Sequence, residues 1–169
     1  MSRILYFAYG SNMLTRRLQH SSRVPSANPI GVGFVEGYHL TFNKRSCDGS
    51  GKCDAELTSE TTARLYGVIY EIPRSEKFCL DRAEGLGIGY EEKAVELVAG
   101  SKRVRAITYV ATDKDPSLRP YDWYKDLVVA GAKEHNLPKD YIAWLEQTST
   151  VVDPEPERAN VERAILKSS

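Results

Sequence analysis

The stretch ILYFAYGSNML, residues 4–14, frames the reading of the whole chain. Ile4, Tyr6, Phe7 and Tyr9 are β-branched or aromatic and suit a buried strand. Gly10, Ser11 and Asn12 follow, small residues that suit a tight loop. A helix-like pattern then predicts a short helix over 12–20, with Asn12 as a candidate cap. Such a junction is either ordinary punctuation or a ligand loop, because backbone N–H groups there point outward and attract negative charge or a carbonyl oxygen. The residues alone leave both readings open.

Working outward, VGFVEGYHLTFN alternates loosely and predicts one or two strands. KRSCDGSGKCDAE is polar and glycine-rich and reads as a mobile loop, whereas ARLYGVIYEI reads as a strong strand. PRSEKFCLDRAEG has proline at its start and glycine at its end, which are good helix limits. YEEKAVELVAG and KRVRAITYVAT predict a hairpin turning at Ala99-Gly100-Ser101-Lys102. YDWYKDLVVAGAKEHN and KDYIAWLEQT predict helices broken at Leu137-Pro138. The segment DPEPE precedes a last amphipathic helix ending near Leu166. The expectation is an α+β fold: a mixed, barrel-like sheet of about five to six strands with irregularly inserted helices. Residues 1–150 read as one domain, and 151–169 as a tail whose short helix packs on that domain.

Lys plus Arg and Asp plus Glu both number 23, so the formal net charge is zero. That gives no pull toward nucleic acid or an anionic membrane surface and favours a small-molecule partner. No apolar run approaches the roughly 20 residues of a membrane span. The start MSRILYF lacks signal-peptide architecture, and Cys47, Cys53 and Cys79 show no CxxC spacing. Both features predict a cytoplasmic location. Oligomeric state is open, a homodimer included.

Several motifs fail their spacing tests. DGSGKC is not a phosphate-binding loop, because Ser46 and Cys53 stand where glycine and Ser/Thr are needed. GLGIGY, residues 85–90, is not GxGxxG and leads into a strand. His20, His39 and His135 lie far apart and form no HExxH pair, so no metal site and no cofactor are expected. What remains is Tyr9-Gly10-Ser11-Asn12 and Glu84. Glu84 ends a helix pattern just before Gly85, Gly87 and Gly89, where a carboxylate is electrostatically misplaced. It is either a working residue or a solvated surface glutamate; Tyr90 and Tyr124 by themselves read as ordinary aromatics.

YFAYGSNM, DRAEGLGIGY and YKDLVVAGAKEHNLP, in that order, resemble the γ-glutamylcyclotransferase family, whose fold is shared with AIG2-like and BtrG-like proteins. The resemblance runs from Ile4 to Leu145 and makes residues 1–150 a γ-glutamylcyclotransferase-like domain. It implies that Tyr9, Gly10, Ser11 and Asn12, together with Met13 and Leu14, form one wall of the substrate cavity. It further implies that Glu84 is the catalytic acid/base and that Tyr90 and Tyr124 line the same cavity. The glycine-rich segment 45–56 also resembles bacterial members but carries no assigned chemistry.

The implied reaction suits these residues. In a γ-glutamyl amide the α-amine can attack the γ-carbonyl, close a five-membered lactam, 5-oxoproline, and expel the second amine. A tethered nucleophile reaches effective molarities of about 10⁵ M or more, so no Ser, Cys or metal is required. One carboxylate can take the ammonium proton and pass it to the leaving amine. The N–H groups of Gly10, Ser11 and Asn12 suit an oxyanion or the α-carboxylate, and Gly10 would let a ligand approach the backbone closely. Two alternatives stand beside this one. One is the same cyclisation of γ-glutamylamines or another γ-glutamyl-acylated intermediate. The other is a non-catalytic small-molecule binding protein, against which a buried carboxylate argues.

Overall fold

The structure is a computed structural model describing residues 2–167. Strand β1 (Arg3–Ala8) pairs antiparallel with β5 (Arg64–Pro73) over six residue pairs, Arg3↔Pro73 to Ala8↔Val68. β5 pairs with β2 (Asn28–Glu36), which meets β6 (Tyr90–Ala99), and β6 forms a long hairpin with β7 (Lys102–Ala111). One parallel pairing of β7 with β1, at Tyr6↔Ile107, closes the ring in the order β1-β5-β2-β6-β7. Closure removes the exposed edges that an open sheet would leave. Thr108 reinforces the seam by donating its hydroxyl to the Phe7 carbonyl, 2.8 Å away. The core holds Phe7, Val68, Tyr70, Ile72 and Leu97, all fully buried. The fold is α+β, with a mixed, closed five-stranded barrel.

The hairpin β6–β7 turns where the spacing predicts, with Ala99 paired to Lys102 and Gly100 at φ 61°. Two expectations are corrected. Residues 12–20 are not one helix: a 3₁₀ turn at Ser11–Met13 precedes a four-residue helix α1 (Thr15–Leu18). Asn12 lies inside that turn and caps nothing, because its side chain is engaged elsewhere. The second correction concerns the glycine-rich segment, whose latter half is strand β4 (Gly51–Leu57), paired with β3 (Tyr38–Arg45) as a separate two-stranded sheet. Cys53, Asp54 and Ala55 are buried there, and Asp54 accepts the Ala111 N–H at 2.7 Å. A buried aspartate breaks the apolar pattern that identifies strands, so this one reads as a loop.

Helix α2 (Lys77–Glu84) follows a 3₁₀ turn at Arg74–Glu76. It stops because Gly85 adopts φ 69°, and Leu86 N–H bonds back to the Asp81 carbonyl at 2.9 Å. Glycine takes that left-handed conformation without a Cβ penalty. Helix α3 (Asp122–Glu134) packs on the Ser11–Met13 turn; a Cβ on Gly131 would lie 2.5 Å from Leu14 N, so the helix touches the turn backbone to backbone. Helix α4 (Lys139–Glu146) follows the break at Leu137-Pro138. Helix α5 (Pro156–Lys167) is tied to the rest by Arg163–Asp122 at 2.7 Å and Glu162–Arg17 at 2.6 Å. Among the described residues no helix is long and apolar enough to cross a membrane.

Candidate active site

At one end of the barrel the Ser11–Met13 turn, the end of α2, the start of β6 and the first turn of α3 meet around a small cleft of about 30 Å³. Tyr9, Gly10, Ser11, Asn12, Glu84, Tyr90 and Tyr124 all line it, although they span more than a hundred positions of sequence. Met13 and Leu14, expected on the same wall, are instead buried in the core against α3. The 3₁₀ turn rotates them away from the cleft. Gly10 also differs from expectation: a Cβ there would meet Cys53 Cβ at 3.1 Å and the Tyr124 hydroxyl at 3.3 Å. Its missing side chain makes room for neighbouring protein atoms.

Glu84 turns inward from the last position of α2, its side chain 17% exposed. Asn12 Nδ2 donates to Glu84 Oε1 at 2.5 Å and to the Tyr6 hydroxyl at 3.1 Å. Arg23 NH1 stands 3.6 Å from the same Oε1 and donates to Asn12 Oδ1 at 3.2 Å. Oε1 is thus held, while Oε2 has no partner among the described residues. The positive guanidinium also offsets the unfavourable end of the helix dipole. Burial and the nearby Arg17 lower the Arg23 pKa, and the Glu84 charge opposes that shift.

The two tyrosines clasp one peptide group. Tyr90 donates its hydroxyl to the Cys53 carbonyl at 2.6 Å, and Tyr124 accepts the Cys53 N–H at 3.2 Å. Tyr90 therefore has only its lone pairs left, whereas the Tyr124 hydroxyl also shares a hydrogen bond with the Cys53 thiol. Tyr9 bonds to the Tyr109 carbonyl, and Tyr109 donates to Asp81 Oδ1 at 2.5 Å. Burial raises Tyr6, Tyr9, Tyr90 and Tyr124 well above the ordinary phenol value, so they are neutral hydroxyls. Burial likewise pushes the Cys53 thiol up to about 12, which leaves no thiolate in the cleft near neutral pH.

The cleft opens into an outer cavity of about 480 Å³ that shares Ser11, Glu84, Tyr90 and Tyr124 with it. Cations dominate its lining: Arg17, Arg23, Lys44, Arg45, Lys52 and Arg82, against Glu84 and Asp113. Arg17 Nε donates to Ser11 Oγ at 3.0 Å. Lys52 is paired with Asp48 at 2.8 Å and lies 4.5 Å from the Trp123 ring and 4.6 Å from the Tyr124 ring; burial lowers its pKa. None of these cations is identified by the sequence. Scattered Arg and Lys in polar segments look like solvated surface charge, and only the DGSGK segment around Lys52 gave any signal. Among the described residues, no cluster of three or more His, Cys, Asp or Glu side chains could hold a metal ion.

Residues 64–145 match the AIG2-like family. The chain is 32% identical over 144 residues to the γ-glutamylcyclotransferase of Bos taurus and 31% identical over 147 residues to that of Homo sapiens. Each comparison covers 81% of this chain and 74% of the relative. A solved γ-glutamyl cyclotransferase superposes with a TM-score of 0.84 at 27% identity, over 99% of this chain and all of the other.

Proposed function

This chain belongs to the γ-glutamylcyclotransferase family, an enzyme family, and from that membership we propose that it releases 5-oxoproline from γ-glutamyl amino acids or dipeptides. In this reading Glu84 is the general acid/base. Its Oε2 takes a proton from the substrate ammonium, the freed amine attacks the γ-carbonyl, and the γ-carbon passes through a tetrahedral oxyanion. Collapse of that oxyanion breaks the bond to the second amine as it receives the proton from Glu84, and the restored carboxylate then takes the second proton from the ring nitrogen and passes it to the departing amine, which leaves as an ammonium beside the neutral lactam. Electrons and protons balance without an added reagent.

The single observation that carries the reading is the arrangement at Glu84. Asn12 and Arg23 fix one oxygen inside a narrow cleft and leave the other unpartnered, which suits a carboxylate that must exchange a proton in a defined direction. Tyr124 and the amides of Ser11 and Asn12 are candidate donors to the oxyanion. The inner cleft has room for little more than the reacting end, so the rest of the substrate would extend into the outer cavity. A cytoplasmic location, where small γ-glutamyl compounds would be met, is part of the same proposal. The 1–150 unit with its tail would act as one body, because α5 pairs with both α1 and α3.

The experiment is a mass-spectrometric assay for 5-oxoproline from a panel of γ-glutamyl compounds, each with an α-N-acetylated twin. Turnover of the free amines and none of the acetylated forms is expected, because an acylated nitrogen is not a competent nucleophile. Free glutamate released from the acetylated forms would mean attack by water and a hydrolase.

A further inference from the structure

The outer cavity gathers six cations against two carboxylates in a chain whose formal net charge is zero. Most of these cations are already answered. Arg17 pairs with Glu162, Arg23 with Glu84, Lys52 with Asp48, and Arg45 with Asp113 and Asp115. Lys44 and Arg82 have no carboxylate within ion-pair distance among the described residues. Arg82 is exposed on α2, its guanidinium 5.9 Å from the Phe78 ring centroid. Lys44 is half-buried, and two neighbours fix where its ammonium stands.

One neighbour is the Tyr90 ring, whose centroid lies 4.8 Å from Lys44 Nζ. The other is Gly89: a Cβ there would sit 2.8 Å from Lys44 Cε and 2.9 Å from Nζ. The glycine is a notch across which the lysine lies. An ammonium held against an aromatic face, on the wall of a cavity and without a counter-ion, is partly desolvated and short of an anion. Tyr90 lines both the cleft and the cavity, so a group bound at Lys44 stands just beyond the reacting centre.

We propose that Lys44 is a specificity-determining residue that binds a carboxylate carried by the leaving amine. This rests on the cyclotransferase reading given above. It makes γ-glutamyl amino acids and peptides better substrates than γ-glutamylamines of the same size. The discrimination lies chiefly in KM, because the ion pair forms in the bound substrate and persists through the reaction.

The test compares kcat/KM for γ-glutamylalanine, for γ-glutamylethylamine, which lacks only the carboxylate, and for γ-glutamyl-1,2-diaminoethane, which ends in an ammonium. Lys44→Gln should reduce the alanine-to-ethylamine ratio about 10- to 100-fold, the worth of one charge-assisted hydrogen bond. The change should come through KM for the alanine compound. Lys44→Glu should go further and turn the preference toward the diaminoethane compound. Lys44 makes no ion pair, so the Gln variant should fold, and it suffices if the Glu variant does not. An unchanged alanine-to-ethylamine ratio in folded Lys44→Gln overturns this inference and leaves the cyclotransferase reading standing. No turnover of any of the three compounds by the native chain overturns both.

Discussion

Replacing Asn12 with alanine isolates the aiming of the carboxylate from the carboxylate itself. Asn12 makes three hydrogen bonds in the cleft: to Glu84 Oε1, to the Tyr6 hydroxyl and from Arg23. One involves a carboxylate and one a guanidinium. Taking the lower end of the usual range for each, the two bonds to charged groups and the one to a neutral hydroxyl amount together to roughly 3.5 kcal/mol. For a chain of this size that lowers Tm by about 7–14 °C. The catalytic effect has a separate origin. Without Asn12, Glu84 keeps only the 3.6 Å approach of Arg23 and is free to rotate. A displacement near 1 Å costs up to about 100-fold, so kcat should fall about 10- to 100-fold with KM changed far less. Thermal melting and steady-state kinetics on the same preparation separate the two effects. A variant that melts lower but keeps kcat within a factor of about two of native, a shift below 0.5 kcal/mol, would refute the reasoning. Asn12 would then be only a packing residue.

Two further outcomes follow from other parts of the structure. Alkylation at neutral pH should modify exposed Cys47, leave Cys53 largely unreacted because burial holds its pKa near 12, and preserve kcat, any cost of an adduct on Cys47, which lines the outer cavity, falling on KM; mass mapping of the adducts alongside activity decides, and loss of kcat tracking Cys53 would contradict it. Acid stability should depend on Asp153, whose pKa is lowered chiefly by its hydrogen bonds to Arg158, with Glu155 N–H and Trp123 Nε1 adding to them. Because the folded-state pKa is depressed, that stabilisation is complete above the unfolded value of about 3.9 and is lost as pH falls through the folded one. Melting curves of native and Asp153→Asn should therefore differ above about pH 4 and converge in stronger acid; a constant difference down to the lowest pH would exclude the linkage.

Legibility in the sequence followed burial pattern. β1, β5 and the β6–β7 hairpin carry alternating or continuous apolar runs with turn residues at their ends, and each lies close to where those patterns put it. β4 was hidden because Gly51, Lys52 and Asp54 are polar or small, yet Asp54 is buried against Ala111. The 3₁₀ turn at Ser11–Met13 was hidden because its shape depends on α3 seating at Gly131, a contact 118 residues or more away in sequence. The same limit governs the cleft. Tyr9-Gly10-Ser11-Asn12 and Glu84 came from motif resemblance, but nothing local links Asn12 to Glu84, 72 positions apart. Arg23 and Lys44 lie in polar segments with no periodicity, and only the assembled barrel turns them toward the cavity.

The central claim is that Glu84 moves the proton, and Glu84→Gln tests it most directly. The substitution keeps size and the capacity to accept from Asn12 while removing the base. General acid–base catalysis is typically worth about 10²–10⁴-fold, so kcat for a γ-glutamyl amino acid should drop at least 100-fold with KM little changed. The melting curve should show a folded protein, since Arg23 retains its bond to Asn12 Oδ1. A folded Gln variant with near-native kcat would contradict the account, leaving Glu84 as a helix-end residue and the base elsewhere in the cleft.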